Sequence, residues 1–356
     1  MVASKGHTPD HPAETMLSLV GRRSAILIMC HNNPDPDTIA SAAALKYIFA
    51  QKLRRKAVIG YEGTIGRAEN RQLVRRLKID MVRTTKLDFS DFSVIALVDS
   101  QPHTGNNAIP RKILPDIVID HHPLRKDSTR CAFHDVRPSY GSASTILTEY
   151  LRELDLTVDR RLATALYYGL KTDTNGLSRS VTKADIDAFN YLFPRIAPRT
   201  LAGIENPSVP KSYYLKFADA IARSVQYGDV MISPMGALNT PDVTAEMADF
   251  LLRMENIRWT LCMGEYKGFL LLSVRTSRRG VMAGKIALRI LKGLGTGGGH
   301  EKAAGGKIDL GGVKPEERAQ LVGKITDRFL KAVGAQDREG KPLAAAASQI
   351  NGRDTP

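Results

Sequence analysis

The residues best suited to chemistry in this 356-residue chain lie in one short segment near its start. His31-Asn32-Asn33-Pro34-Asp35-Pro36-Asp37 places one imidazole and two carboxylates within seven residues, and two prolines stiffen the segment. Imidazole and carboxylate groups are common ligands of divalent cations. The segment is therefore a candidate metal site, although Asp37 alone would equally suit a cap at the start of a helix.

Further carboxylates and imidazoles stand at the ends of other predicted elements. In chain order they are Asp99 after the apolar run Val94–Val98, Asp120 after Ile117–Ile119 with His121 and His122 next to it, and Asp173 in the turn after a helical stretch that ends near Leu170. Any one of these aspartates suits a cap or a turn, but ligands gather at the carboxyl ends of parallel strands. A shared carboxylate can hold two cations ~3.5–4 Å apart, and such a pair activates water and clamps a phosphoryl group without a Ser or Cys nucleophile.

The elements that would position these residues alternate between short apolar runs and amphipathic stretches from Ser24 to about Leu192. That alternation is typical of βαβ units and predicts an α/β fold with a largely parallel sheet. The predicted strands are Ser24–Cys30, Lys56–Tyr61, Val94–Val98 and Asp116–Ile119, and the predicted helices are Thr38–Leu53, Ser142–Leu154, Arg160–Leu170 and Lys183–Phe193.

The rest of the chain predicts a second, smaller α/β domain. We divide the chain into a mobile tail (1–13), a first domain (14–193), a proline-rich connector (194–228), a second domain (229–335) and a second mobile tail (336–356). The second domain has predicted helices at Ala245–Met254, Met282–Leu291 and Pro315–Val333, strands near Trp259–Glu265 and Gly268–Thr276, and a glycine-rich loop after Leu291.

Composition limits the class of protein. Hydrophobic residues make up 43% and charged residues 25%, as in ordinary globular proteins, while 51 Lys plus Arg against 37 Asp plus Glu favour an anionic partner. No apolar run reaches the ~20 residues that a membrane span needs, and the start of the chain does not resemble a secretion signal, so we expect a cytoplasmic protein without a membrane partner. One basic run, Gln51 to Arg83 with Arg71, Arg75 and Arg76, has no identified partner.

Taken together, these motifs resemble those of the DHH phosphoesterase family, which is named for the triplet Asp120-His121-His122. The match runs in family order through His31-x-x-Pro34-Asp35-x-Asp37, Asp99, the triplet, and Thr172-Asp173-Thr174. The resemblance implies two divalent cations, expected to be Mn, held by His31, Asp35, Asp37, Asp99, His121 and Asp173, with Asp99 bridging. It also implies that His122 faces the substrate phosphate and that Asp120 orients a histidine.

The resemblance extends into the second domain. Gly297-Gly298-Gly299-His300, followed by Ala303-Ala304-Gly305-Gly306, is similar to the signature of the DHHA1 domain, and Arg275 and Ser277 resemble its substrate-contacting strand end. Glycines let backbone N–H groups approach a phosphate closely. Between residues 271 and 331, 13 Lys plus Arg stand against 5 Asp plus Glu, which agrees with an anionic ligand.

The function implied is a two-domain, metal-dependent phosphoesterase with its substrate in a cleft between the DHH and DHHA1 domains. The expected substrates are short oligoribonucleotides or small nucleotides, such as 3′-phosphoadenosine 5′-phosphate and linear dinucleotides. Two alternatives within the family are a cyclic dinucleotide phosphodiesterase and a single-strand exonuclease. A third, from another class, is a catalytically idle nucleic-acid-binding protein. The oligomeric state stays open.

Overall fold

The structure, a computed structural model, describes residues 10–21, 25–179, 181–299 and 301–346. The chain divides into two compact units after Ser208, inside the stretch for which the sequence predicts a connector. This stretch also contains two helices and a short strand, given below, so most of it belongs to the two units. In the described residues, no helix is both long and apolar enough to span a bilayer.

The first unit contains a six-stranded sheet in which all paired strands are parallel. Its strands are β1 (Ile26–Met29), β2 (Ala57–Tyr61), β3 (Val82–Arg83), β4 (Val94–Val98), β5 (Ile117–Asp120) and β6 (Phe133–Val136). They lie in the order β3-β2-β1-β4-β5-β6. This arrangement confirms the predicted parallel sheet, and it makes β1, β4 and β5 neighbours at its centre.

Both faces of this sheet are buried, which is why its strands read as continuous apolar runs. Ile26 and Ile28 belong to a large core, whereas Leu27 and Met29 belong to a smaller core on the opposite face. The helices of the unit are α1 (Pro12–Leu19), α2 (Pro36–Leu53), α3 (Ala68–Leu77), α4 (Ala143–Glu153), α5 (Arg160–Asp173), α6 (Lys183–Leu192) and α7 (Pro198–Glu205).

Helices α2 and α5 approach each other closely at Gly169. A Cβ atom on Gly169 would lie 2.5 Å from the Ser144 hydroxyl oxygen, 3.0 Å from Cα of Asp37 and 3.1 Å from the Pro36 carbonyl oxygen. Only glycine therefore fits at this point of α5. The contact fixes α5, which ends at Asp173, against the first turn of α2.

The second unit contains a seven-stranded sheet. Its strands are β7 (Val225–Tyr227), β8 (Val230–Ala237), β9 (Trp259–Tyr266), β10 (Phe269–Thr276), β11 (Thr296–Gly299), β12 (Ala303–Asp309) and β13 (Lys341–Pro342), in the order β11-β12-β10-β9-β8-β7-β13. All pairs are antiparallel except β8 with β9. The helices are α8 (Lys211–Ala222), α9 (Val243–Leu251), α10 (Ala283–Leu291), α11 (Pro315–Val333) and α12 (Leu343–Ala346).

The glycine run differs from its prediction, because Gly297, Gly298 and Gly299 form an edge strand and not a loop. Close packing by α10 requires small residues there. A Cβ atom on Gly297 would lie 2.5 Å from Cδ1 of Leu291, and one on Gly284 would lie 2.4 Å from the Gly299 carbonyl oxygen.

The ends of the chain also differ from the predicted tails. Pro12 and Ala13 form the first turn of α1, and both are buried. Residues 341–342 form β13, which pairs with β7, and α12 follows directly.

Candidate metal centre

The sheet topology brings the first candidate ligands to one edge. His31 lies two residues beyond β1, Asp99 directly follows β4, and Asp120 is the last residue of β5. Since these three strands are parallel neighbours, their carboxyl ends lie side by side, as the sequence predicts. His121 and His122 continue from β5 into the same edge.

The helices supply the remaining carboxylates. Asp35 caps α2, and its Oδ1 accepts hydrogen bonds from the backbone N–H groups of Asp37 (3.0 Å) and Thr38 (3.1 Å). Asp37 is fully buried and accepts two bonds from the first turn of α4, from the N–H groups of Ala143 (2.7 Å) and Ser144 (2.8 Å). Asp173 is the last residue of α5, one turn later than the predicted end of that helix.

Two imidazole–carboxylate groups flank the carboxylate of Asp99, and a third, overlapping group joins Asp99 to His121 and His122. Nε2 of His31 lies 3.5 Å from Oδ2 of Asp35 and 3.6 Å from Oδ2 of Asp99. Nε2 of His121 lies 3.3 Å from Oδ1 of Asp99 and 3.1 Å from Oδ2 of Asp173, and Asp37 completes this second group. Asp99 thus turns one oxygen toward each group.

The hydrogen bonds of the histidine rings leave Nε2 of each ring facing carboxylates. Nδ1 of His31 lies 2.9 Å from the Asn32 carbonyl oxygen, and Nδ1 of His121 lies 3.2 Å from that of Tyr140. Each Nδ1 therefore donates to a carbonyl oxygen, which leaves Nε2 as the ring atom that can bind a cation. Nε2 of His121 and Oδ1 of Asp99 are both buried and have no hydrogen-bond partner. These two atoms lie 3.3 Å apart, so one cation placed between them would satisfy both.

In the protein alone, burial and neighbouring negative charges disfavour the ionised carboxylates of Asp99 and Asp37. Burial, together with the charge of Asp35, raises the pKa of Asp99 to about 6. Burial and the charges of Asp99 and Asp173 raise the pKa of Asp37 well above its usual range. Burial favours the neutral ring of His31, but the charges of Asp35 and Asp99 outweigh it and raise its pKa to about 10. A divalent cation reverses this balance by stabilising the ionised carboxylates.

The backbone of Asp99 is strained. Its φ is 52°, in the left-handed region that non-glycine residues seldom adopt, and its N–H donates to the Ile119 carbonyl oxygen at 2.9 Å. Such conformations cost about 1–3 kcal/mol and cluster at functional sites. The strain places the carboxylate of Asp99 between the two groups.

Asp120 orients His122. Oδ1 of Asp120 accepts from Nδ1 of His122 (2.9 Å) and from the His121 N–H (2.8 Å). Oδ2 accepts from the side-chain amide of Gln101 at 2.6 Å. The sequence predicts that Asp120 orients a histidine, and the geometry places that histidine at His122, the ring of which is about one-third exposed.

Gln101 belongs to this arrangement, and sequence reasoning missed it. Its Oε1 accepts from the Arg125 N–H (2.6 Å) and from the Ser128 hydroxyl (2.8 Å), so the side chain ties Asp120 to the loop beyond the triplet. The one available signal was a polar residue two positions after Asp99. The α4 N–H donors to Asp37 were also missed, because they lie 106 and 107 residues away in the chain.

The structure places the predicted substrate residues of the second unit in different surroundings. The Arg275 side chain donates to Asp249 (2.6 Å) and to the Val274 carbonyl oxygen (3.0 Å), so protein groups already engage it. Ser277 is exposed and lines a cavity of about 440 Å³ with Arg258, Arg278 and Arg279. Gly297, Gly298 and Gly299 lie at the edge of the sheet, and a Cβ atom on Gly298 would touch nothing within 4 Å. His300 lies outside the described residues.

Comparison with known proteins agrees with this geometry. Residues 25–170 match the DHH family, N-terminal domain, and residues 227–333 match the DHHA1 domain. The chain belongs to the DHH family, whose members are phosphoesterases, and it carries a DHHA1 domain.

Individual similarities cover different parts of the chain. An uncharacterized protein of Methanocaldococcus jannaschii is 35% identical over 326 residues, which are 89% of this chain and 66% of that protein. A probable bifunctional oligoribonuclease and PAP phosphatase of Streptococcus mutans is 26% identical over 170 residues, 45% of this chain and 49% of that protein. The chain thus spans from half to about two thirds of the length of these relatives.

A solved structure shows the same fold. The crystal structure of an exopolyphosphatase-related protein from Bacteroides fragilis superposes with a TM-score of 0.67 at 15% identity, covering 86% of this chain and 93% of that one.

Proposed function

We propose that this protein is a metal-dependent phosphoesterase that hydrolyses short oligoribonucleotides or small nucleotides, including 3′-phosphoadenosine 5′-phosphate and linear dinucleotides. The observation that carries the proposal is Asp99, which turns its two oxygens toward two separate imidazole–carboxylate groups. The similarity of the DHH half to the Streptococcus mutans oligoribonuclease and PAP phosphatase supports this substrate class.

In this proposal the two groups hold one divalent cation each. His31 and Asp35 would hold the first, Asp37, His121 and Asp173 would hold the second, and Asp99 would contribute to both sites. The carboxylate donors suit Mn, which we propose as the metal because the family resemblance also implies it. When bound, the pair activates water toward phosphorus and neutralises charge on the phosphoryl oxygens.

The remaining residues orient and bind. Asp120 accepts the Nδ1 proton of His122, which turns the other ring nitrogen toward the substrate phosphate. Gln101 keeps Asp120 in place. In the second unit, Ser277, the arginine-lined cavity beside it and the N–H groups of Gly297, Gly298 and Gly299 are proposed to bind the anionic substrate, with His300 as a further donor. Since Asp249 holds the guanidinium of Arg275, we propose that Arg275 supports this surface.

A cytoplasmic location is part of the proposal. Cys30, Cys131 and Cys262 are free and buried, as is usual in a reducing compartment.

The test is a side-by-side substrate panel. The metal-stripped protein is supplied with Mn and offered RNA of two to five nucleotides, 3′-phosphoadenosine 5′-phosphate, a linear and a cyclic dinucleotide, and long single-stranded DNA. We expect turnover of the first three classes. Preference for the cyclic dinucleotide or for long DNA would favour the corresponding alternative, and RNA binding without any hydrolysis would favour the idle protein.

Asp99→Asn is the matched catalytic control. The substitution preserves shape but removes the charge that both cations share, so turnover should fall at least 100-fold while the circular dichroism spectrum stays unchanged. An Asp99→Asn variant with full activity would exclude the two-metal assignment.

A further inference from the structure

The first unit contains a cavity of about 320 Å³ that the proposed hydrolysis does not use. It opens between α2, α3 and the start of α5. Its walls include the buried side chains of Ile59, Leu77 and Leu162 and the half-buried ring of Tyr47. The Tyr47 hydroxyl donates to the Thr157 carbonyl oxygen at 2.6 Å, which fixes the ring at the wall. The cavity is thus preformed and largely apolar inside.

Cations outnumber acids at its mouth. Lys46, Lys78 and Arg161 line the cavity, and none of the three has an ion-pair partner among the described residues. The two acids that line it are Asp80 and Asp159, and Asp159 also accepts the Leu162 N–H at 2.8 Å as the cap of α5. The excess of cations therefore favours an anionic ligand group at the mouth, and the two carboxylates beside it can accept hydrogen bonds from donors of the same ligand. Lys78 belongs to the basic run Gln51–Arg83, for which the sequence suggests no partner.

We propose that this cavity binds a nucleoside monophosphate. The flat base would lie against the apolar wall and Tyr47, and the phosphate would meet Lys46, Lys78 and Arg161. Asp80 and Asp159 would accept hydrogen bonds from ribose hydroxyl or base amino groups. The volume is near the lower end of the range for small-molecule sites, which favours one nucleotide over an oligomer.

The cavity is connected to the candidate metal centre through two helices. Lys46 is nine residues beyond Asp37 on α2, about 14 Å along the axis, and Arg161 is twelve residues before Asp173 on α5, about 18 Å. The helices touch again at Gly169, beside Asp37. A ligand that contacts both helices at these distances from Asp37 and Asp173 is therefore placed to affect turnover. Binding stands apart from the proposed function, whereas the effect on turnover rests on it.

The experiment measures binding of radiolabelled AMP by equilibrium dialysis, with the protein stripped of metal in EDTA. Wild type and Asp99→Asn should bind one AMP per chain with equal affinity. The double charge reversal Lys46→Glu/Arg161→Glu should weaken binding at least tenfold, and Ala50→Trp, at an exposed position of the cavity lining, should do the same by filling the mouth. Lys52→Glu reverses a charge on the same helix outside the lining and should change affinity less than twofold. Circular dichroism checks that each variant folds.

Several results would overturn the inference. The first is that wild type shows no saturable AMP binding. The second is that Lys52→Glu loses as much AMP affinity as the cavity variants. The third is loss of AMP binding in Asp99→Asn, which would locate AMP at the metal centre. The two proposals fail separately. Substrate turnover without AMP binding would refute only the cavity, and AMP binding without turnover of any substrate would refute only the phosphoesterase.

Discussion

Gly169→Ala tests how the packing of α5 on α2 positions the metal ligands. The new Cβ would lie 2.5 Å from the Ser144 hydroxyl oxygen and 3.0 Å from Cα of Asp37. Replacing glycine by alanine in a helix normally adds about 0.5–1 kcal/mol of stability. Overpacking at these distances costs about 1–3 kcal/mol. We therefore expect a net fall of up to about 2.5 kcal/mol in the free energy of unfolding, in place of the usual gain.

The same substitution should weaken metal binding. The overpacked contact separates α5, which carries Asp173, from the first turn of α2, which carries Asp37. These two carboxylates and His121 form one of the two groups, so a small shift affects that group directly. We expect Mn affinity to fall about tenfold, which corresponds to about 1.4 kcal/mol.

Urea denaturation of the metal-free protein and calorimetric titration with Mn measure the two effects. Gly323→Ala is the matched control, because a Cβ atom there meets nothing within 4 Å in α11, and it should add about 0.5–1 kcal/mol. Adding Ser144→Ala to Gly169→Ala should restore part of the loss, since the Ser144 hydroxyl is buried without a hydrogen-bond partner. If Gly169→Ala matches Gly323→Ala in stability and wild type in Mn affinity, the reasoning is refuted.

Two further substitutions test buried polar contacts. Gln101→Leu removes the hydrogen bonds to Asp120 and Arg125, so the free energy of unfolding should fall by about 1–3 kcal/mol. The kcat should also drop, while the Mn content stays unchanged. The control Gln72→Leu, on the surface of α3, should change the free energy of unfolding by under about 0.5 kcal/mol. An unchanged kcat in Gln101→Leu would show that Asp120 orients His122 unaided. Arg137→Ala leaves Asp135 buried without its 2.6 Å partner and should lower the free energy of unfolding, measured by urea denaturation, by about 3–5 kcal/mol. Arg130→Ala removes a surface ion pair and should lower it by about 0–1 kcal/mol. Equal losses in the two variants would contradict this difference.

The sequence predicted the core of the first unit well because local pattern and topology agree there. β4 was predicted with its observed bounds, and α2 within two residues. Apolar runs that end in Asp99 and Asp120 locate ligands at the carboxyl edge of a parallel sheet, and chain connectivity then gathers them. Asp173 is the last residue of a helix and does not lie in a turn as predicted, but it still lies beside Asp37 and His121.

Long-range contacts limited the rest of the prediction. A run of glycines predicts flexibility from composition alone, and nothing local reveals that α10 packs against Gly297 and Gly299. In the same way, the partners of Asp37 lie in α4 and the ties of Gln101 reach past the triplet. The engagement of Arg275 by Asp249 likewise joins residues 26 positions apart.

The most direct test of the central claim is the Mn content and position in the protein. Metal-stripped protein is supplied with Mn, freed of excess metal, and analysed by elemental analysis and by anomalous diffraction from crystals. We expect two Mn per chain, one beside His31 and Asp35 and one beside Asp37, His121 and Asp173, with Asp99 touching both. Protein that retains no Mn, or holds it away from Asp99, would show that these side chains do not form a two-metal site.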